Sequence, residues 1–338
     1  MTYQTDVVIV GAGPVGLFAI FECGMLRLKC HVIDTLDAVG GQCAALYPEK
    51  PIYDIPAYPK VTGAELVENL HQQCLPFNPT FHLGHQVTSV EQLDEAGKSW
   101  RVITSKGAII ECKSIIIAAG VGAFGPNRPP LDNIEQFEGH SIHYYVKSRE
   151  AFKNKHVVIA GGGDSAVDWA LSLSEIAASV SVVHRRPKFR AAPESEARLN
   201  ELATQGQIRL ITPYQLEGLE GNDNQLTHVI VKSMDGEIQS LRADYLLAFF
   251  GLSMNLGPIA EWGLGLEKSH ISINPLTAAT NRPGVYAIGD IATYDHKLKL
   301  ILTGFAEAAQ AAHAIRHFLY PDEIIHFEYS TTKGIQAA

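Results

Sequence analysis

Three absences narrow this chain first. No apolar run approaches the ~20 residues that a membrane-spanning helix needs, and a strand-like pattern begins almost at once, which leaves no room for a secretory signal segment. There is no broad surplus of cations: Lys and Arg total 27 against 36 Asp and Glu, and the net charge of −9 argues against general nucleic-acid binding. Metal-ligand spacings are missing as well, with no His-Glu-x-x-His and no Cys-x-x-Cys. The five cysteines, Cys23, Cys30, Cys43, Cys74 and Cys112, are odd in number and include no close pair. A disulfide framework is not expected, and a reducing cytoplasm with buried or idle thiols fits best.

What is present is a soluble globular composition, 46% hydrophobic and 19% charged, over 338 residues, about two domains' worth. A nucleotide-binding fingerprint is written twice. Gly11, Gly13 and Gly16 follow the apolar run Val7-Val8-Ile9-Val10, and Asp34 closes a second apolar stretch 23 residues after Gly11. Gly161, Gly163 and Ala166 follow Val157-Val158-Ile159-Ala160, and 23 residues after Gly161 comes His184, with Arg185, Arg186 and Arg190 behind it. Strand, glycine turn and helix N-terminus together form a pyrophosphate site. A carboxylate at the end of the second strand holds two ribose hydroxyls, whereas a cationic cluster there suits a ribose 2′-phosphate. Two different dinucleotides are expected, the second of them NADP. His184 either packs or stacks on adenine.

The rest of the pattern organises around those two units. The first predicts a helix over about 14–26, a Gly- and Pro-rich loop over 40–60, a helix at 63–74, short strands around 79–91, 100–104 and 108–112, and a further strand at 114–119. Residues 120–130 hold three Gly and three Pro and read as a hinge. The second unit begins near Lys155, with a helix at 165–178, a strand at 180–184, and meander strands near 207–211, 227–233 and 236–248. A second crossing, 251–257, returns the chain to the first domain. There the strand Val285-Tyr286-Ala287-Ile288 meets Gly289-Asp290 ahead of a helix over about 304–319. One domain type is thus repeated, the second copy inserted into the first.

Several single residues carry further expectations. Asp290 either satisfies a turn or lies at a cofactor, where the following helix N-terminus would bring partial positive charge to a flavin. Tyr47 and Phe327 are possible ring-stacking platforms, and Thr331-Thr332-Lys333 alone reads as a disordered tail. A redox dithiol placed after the first glycine loop would pair Cys43 with position 48, which is Pro48. Placed before the second glycine loop, it would fall near His143-Tyr144-Tyr145, which has no cysteine. Thiol relay through this chain alone is excluded.

The chain resembles, over its full length, the dithiol-less branch of the thioredoxin reductase fold, the bacterial ferredoxin/flavodoxin–NADP reductases. The first glycine loop, Gly40-Gly41-Gln42-Cys43, Tyr47-Pro48-Glu49-Lys50, Tyr53-Asp54-Ile55-Pro56, Gly161-Gly162-Gly163-Asp164-Ser165-Ala166, His184-Arg185-Arg186 and Ala287-Ile288-Gly289-Asp290 carry the likeness. It implies an α/β flavoprotein of two Rossmann-like, three-layer ββα dinucleotide-binding domains: an FAD domain over 1–120 and 251–338, and an NADP domain over 121–250. It implies FAD contacts at Asp34, Gln42, Tyr47, Val87, Phe124, Asp290 and Thr331, with Tyr47 stacked on one flavin face. Phe327, carried on the partner protomer's tail, would cover the other face of the flavin, so a homodimer is implied. Electrons would pass between NADPH and ferredoxin or flavodoxin, by hydride transfer to flavin N5 and then single-electron steps. Chemistry of that kind resides in the cofactors and needs no Ser-His-Asp or paired-carboxylate constellation. Two other readings stand beside it: a flavoprotein reductase serving a separate thiol protein or a quinone, and a non-catalytic module that senses NADPH.

Overall fold

The computed structural model describes residues 2–323, the side chains of 123–126 and 252–254 excepted. Seven α-helices appear among them: α1 (Pro14–Met25), α2 (Gly41–Ala45), α3 (Gly63–Cys74), α4 (Ile134–Phe137), α5 (Asp164–Leu173), α6 (Pro193–Thr204) and α7 (Ile301–Leu319). The chain divides into two compact units, one of residues 1–124 and 254–338, the other of 125–253. It passes between them in two neighbouring strands, Ala123–Pro126 and Leu252–Asn255.

In the first unit a five-stranded parallel sheet runs Val285–Ala287, Ser114–Ile117, Val7–Val10, Cys30–Asp34, Thr80–Leu83 across its width. Its inner strands are apolar without alternation because both faces are covered. Val7, Val8, Ile9, Ile115, Ile116 and Ile117 have no solvent exposure at all. A mixed sheet of Thr2–Gln4, Ile109–Cys112, Trp100–Thr104 and Val87–Gln92 accompanies the parallel sheet in the same unit. The alternating burial along Trp100–Thr104 marks a sheet with one face in the core.

The second unit repeats the central part of that order. Its parallel sheet runs Ile142–His143, Tyr245–Phe249, His156–Gly161, Ser179–Val183, Ile208–Ile211, so the glycine-turn strand again sits third, between a late strand and its own βαβ partner. An antiparallel meander of Tyr214–Asn222, Gln225–Ser233 and Ile238–Arg242 accompanies it. Both units are therefore α/β with the same four-strand core order, but the outer strand is the last in sequence in the first unit (Val285–Ala287) and the first in the second (Ile142–His143).

The differences from the sequence expectation are local. The stretch 40–60 is not all loop: α2 occupies one turn of it, capped by Gly40 and beginning at Gly41, both at positive φ (114° and 53°). The expected strand 236–248 is two elements, the last meander strand and a parallel-sheet strand, broken at Ala243-Asp244. α7 starts at Ile301 and not at 304, because Gly304 is a helical residue whose missing side chain admits Val15. Among the described residues no helix is long and apolar enough to cross a membrane.

Candidate functional site

In the first unit the glycine turn joins the central strand to α1. Gly11 has φ +111°, and a Cβ there would stand 2.3 Å from the Ala118 carbonyl oxygen. A Cβ on Gly16 would stand 2.0 Å from the Gly11 carbonyl oxygen, so that position serves helix–strand packing and does not line the cleft. Gly13 is different. It has ordinary extended backbone, and its nearest neighbour would be Gly41 Cα at 4.0 Å. The space before Gly13 is open. α1 begins there with Pro14 in its first turn, no side-chain cap and no acid, so its positive end is left for a ligand anion.

Asp34 ends the second strand, 9% exposed, with each carboxylate oxygen taking one backbone N–H: Ala12 at 2.6 Å and Leu36 at 2.9 Å. Burial pushes its carboxyl above the usual range, and those backbone donors pull it partly back. A carboxylate has about four lone-pair sites, and with the Thr35 backbone as a third donor room remains for a hydroxyl.

Gly11, Gly13, Asp34, Gln42, Tyr47, Val87 and Asp290 all line one cavity of this unit. His85 and Gln86 line it as well, and the His85 amide donates to the Asp34 carbonyl at 2.9 Å. Asp290 acts electrostatically on both Cys43 and Tyr47, so those three groups lie together. The loop carrying Tyr47 is pinned onto the start of α3: the Ala64 amide donates to the Pro48 carbonyl (2.8 Å) and the Gly63 amide to that of Lys50 (3.1 Å). Thr62 and Glu65 close the α3 N-terminus as a reciprocal capping box. Burial raises the Tyr47 hydroxyl strongly and pushes the Cys43 thiol up to about 11. Cys43 is therefore a neutral thiol that donates to Tyr47 Oη at 3.7 Å, not a nucleophile. All five cysteines are free and buried. Asp290 lies on a single 3₁₀ turn, Gly289–Ile291, after the edge strand. Leu300 and Ile301 also border the cavity, and α7 begins there without a side-chain cap.

Next to Asp34 the residues His31, His82 and His85 form a ring column, with His31 Nδ1 3.0 Å from His82 Nε2. Burial, then the charge of His82, lowers His31 to about 4. In the unfolded chain an imidazole takes up its proton near pH 6.5, so between pH 6.5 and 4 the folded state binds fewer protons. The stability that this neutral pair contributes is complete above pH 6.5 and is lost as the pH falls through that window. Melting temperatures measured from pH 7 to 4 should fall more steeply for the native protein than for His31→Gln. Parallel curves would show that the column does not titrate with folding.

In the second unit the turn has a different build. Gly161 lacks the positive φ of Gly11, and the site of its missing Cβ lies 3.0 Å from the Ala166 methyl, which is why alanine fits at the last small position. Gly163 N-caps α5, again with no side-chain cap hydrogen bond and with open space before it. The basic segment folds back onto this turn: the Arg190 amide donates to the Gly162 carbonyl at 2.7 Å. The His184 ring lies where a Gly162 side chain would be, and it stacks on Phe189 at 5.3 Å between centroids. His184 Nε2 is buried without a hydrogen-bond partner. Burial, and then the charges of Arg185 and Arg186, lower its pKa. Arg185, Arg186 and Arg190 are all exposed. Phe189 escaped the sequence reading, and Gly162 was named there only as part of a motif, although the run of three glycines was a signal that each has a task.

The Phe124 side chain, Phe327 and Thr331 lie outside the described residues. No group of three or more His, Cys, Asp or Glu able to hold a metal occurs among the described residues.

A family model for pyridine nucleotide-disulphide oxidoreductases matches residues 5–315. The ferredoxin–NADP reductase of Paramagnetospirillum magneticum is 60% identical over 333 residues, which cover 98% of each chain. That of Rhodospirillum rubrum is 59% identical, over 98% of this chain and 96% of its own. Among solved structures, Lactococcus lactis thioredoxin reductase in its FR conformation superposes with a TM-score of 0.80 at 27% identity, over 94% of this chain and 99% of that one. The fold is thus thioredoxin reductase-like.

Proposed function

This chain belongs to the pyridine nucleotide-disulphide oxidoreductase family, and from that premise we propose that it is a ferredoxin–NADP reductase using FAD and NADP(H). The observation that carries the reading is the pairing of two glycine turns in like sheets with opposite chemistry at the next strand end, a carboxylate at Asp34 and cations at 185–190. We assign the FAD domain to 1–120 with 251–338 and the NADP domain to 121–250.

The residues fit both groups. In the first unit Gly13 and the uncapped start of α1 would take the pyrophosphate, and the free lone pairs of Asp34 the ribose. As the family likeness implies, we assign the ring to the part of the cavity lined by Gln42, Tyr47 and Asp290, where Tyr47 offers a half-buried aromatic side chain. In the second unit Gly161, Gly163 and Ala166 would admit the coenzyme pyrophosphate, Arg185, Arg186 and Arg190 its 2′-phosphate, and the orphaned His184 Nε2 a hydrogen-bonding group of the adenosine. Bound FAD supplies the exchange between a two-electron hydride donor and one-electron carriers. The chain's own work is to hold, orient and shield. Its buried neutral thiols are consistent with a reaction that uses no sulfur of the protein. The proposal extends to a cytoplasmic homodimer, to ferredoxin or flavodoxin as transient partners, to Val87, Phe124 and Thr331 as FAD contacts, and to Phe327 over the second ring face. It also takes 120–130 and 251–257 as hinges that open that face to nicotinamide.

Anaerobic NADPH titration of the yellow holoprotein, followed by purified ferredoxin, tests the reading. Bleaching by about one equivalent of NADPH and recovery of colour on adding the carrier are expected. A colourless protein that refuses FAD on reconstitution would sink it. Bleaching that only a quinone or a thiol protein reverses would replace the acceptor.

A further inference from the structure

Among the described residues only two carboxylates are buried, Asp34 and Glu307, and the second has no part in the reading above. Glu307 sits on α7 in a stripe of small and apolar residues, Gly304, Ala308, Ala311, Ala312 and Ile315, all of them buried. Alanine would be the ordinary occupant of its position. A carboxylate there is costly unless every lone pair in reach is used.

It is well used. Glu307 Oε2 accepts the Gly289 amide at 2.8 Å, while Oε1 accepts the Tyr294 hydroxyl at 3.0 Å and the ammonium of Lys297. The Lys297 side chain is only 5% exposed and its ammonium lies 5.1 Å from the centre of the Tyr294 ring. Gly289 and Asp290 are wall residues of the cavity, so the carboxylate stands one hydrogen bond behind that wall. The same wall is tight, since a Cβ on Gly304 would come within 2.4 Å of Val15 and 3.3 Å of Gly289 Cα. The turn bearing Asp290, the start of α1 and α7 therefore meet at one point, and Glu307 is the polar tie across it.

We propose that Glu307 and Lys297 are a positioning and charge-balancing pair for the ring end of the cavity. Glu307 fixes the Gly289–Asp290 turn, and its charge cancels that of Lys297, so that no net buried charge acts on the group bound there. The inference rests on the assignment of this cavity to FAD.

The charges give it a signature that loss of structure would not. In the flavin-loaded protein, Glu307→Gln keeps the size and an acceptor oxygen but leaves the ammonium uncompensated. It should favour the reduced flavin about tenfold, raising the two-electron midpoint potential by about 30 mV. Lys297→Met leaves the carboxylate alone and should shift the potential by a similar amount the other way. The double variant Lys297→Met/Glu307→Gln should return to within about 10 mV of the native value. Glu307→Ala, which removes the acceptor of the Gly289 amide, should weaken FAD binding at least tenfold, measured by fluorescence quenching. Shifts of the same sign in both single variants, or none, overturn the proposal. Should a single variant fail to retain flavin, the double variant is expected to regain it, and a double variant no better than the worse single also overturns the idea. Native protein that binds FAD beside unshifted variants refutes this inference alone, whereas native protein that binds none refutes the cavity assignment with it.

Discussion

Replacing both Arg185 and Arg186 by glutamine should raise the Michaelis constant for NADPH about 100-fold and leave that for NADH within about threefold. A charge-assisted hydrogen bond contributes roughly 1.5–3 kcal/mol. The lower end applies here, because both side chains are exposed. Two such contacts give about 3 kcal/mol, and each 1.4 kcal/mol is a factor of ten. Arg190 stays in place, held through its amide to the Gly162 carbonyl, so the segment should keep its course and the loss should be one of charge alone. Steady-state diaphorase kinetics with both coenzymes check this. An equal rise for NADH would mean that the arginines hold the pyrophosphate or the turn, and the assignment of the 2′-phosphate would go.

A single methyl group at Gly13 should abolish FAD binding in a protein that otherwise folds normally. Gly13 has φ −71° and ψ 179°, ordinary values for any residue, and the nearest atom to an added Cβ is 4.0 Å away. Gly13→Ala therefore strains nothing in the apoprotein. It fills the space through which the backbone would approach the pyrophosphate, and FAD affinity should fall at least 100-fold. Gly16→Ala is the contrasting case. Its Cβ would meet the Gly11 carbonyl at 2.0 Å, so helix and strand must separate, with a loss of folding stability of about 3 kcal/mol or more. Apoprotein melting and flavin quenching, measured on both variants, separate the roles. A Gly13→Ala protein that binds FAD as tightly as the native chain would show that the ligand does not approach there.

The residues that could be read from the sequence were those whose physics is local. Apolar runs such as Val7–Val10 need cover on both faces, so they announced a parallel sheet before any coordinates. The glycine spacing marked both turns. What escaped depends on distant partners. α2 is a single turn, too short to show a period. α6 has Pro193 and two acids in its first turn but buries only Leu199 and Leu202, a stripe too thin to stand out. The His31–His82–His85 column joins residues 51 positions apart, and nothing near His31 foretells it. Glu307 was discoverable, since a lone acid at helical spacing within an alanine stripe has to be buried with partners. Its partners Lys297, Tyr294 and Gly289 come together only when the edge strand and α7 are in place.

The chain's order of synthesis follows from where its second unit is inserted. Residues 125–253 are contiguous and can close as soon as they leave the ribosome. The first unit has to wait: its edge strand Val285–Ala287, the Gly289–Asp290 turn and α7 emerge only after the whole insert. A half-built parallel sheet with an open edge at Ser114–Ile117 must therefore persist until the whole insert has been made. The cavity itself is complete only once Asp290 and Leu300, which line it, have been made. The molecule is thus most exposed to mispairing during elongation, before the strand that closes this edge is made.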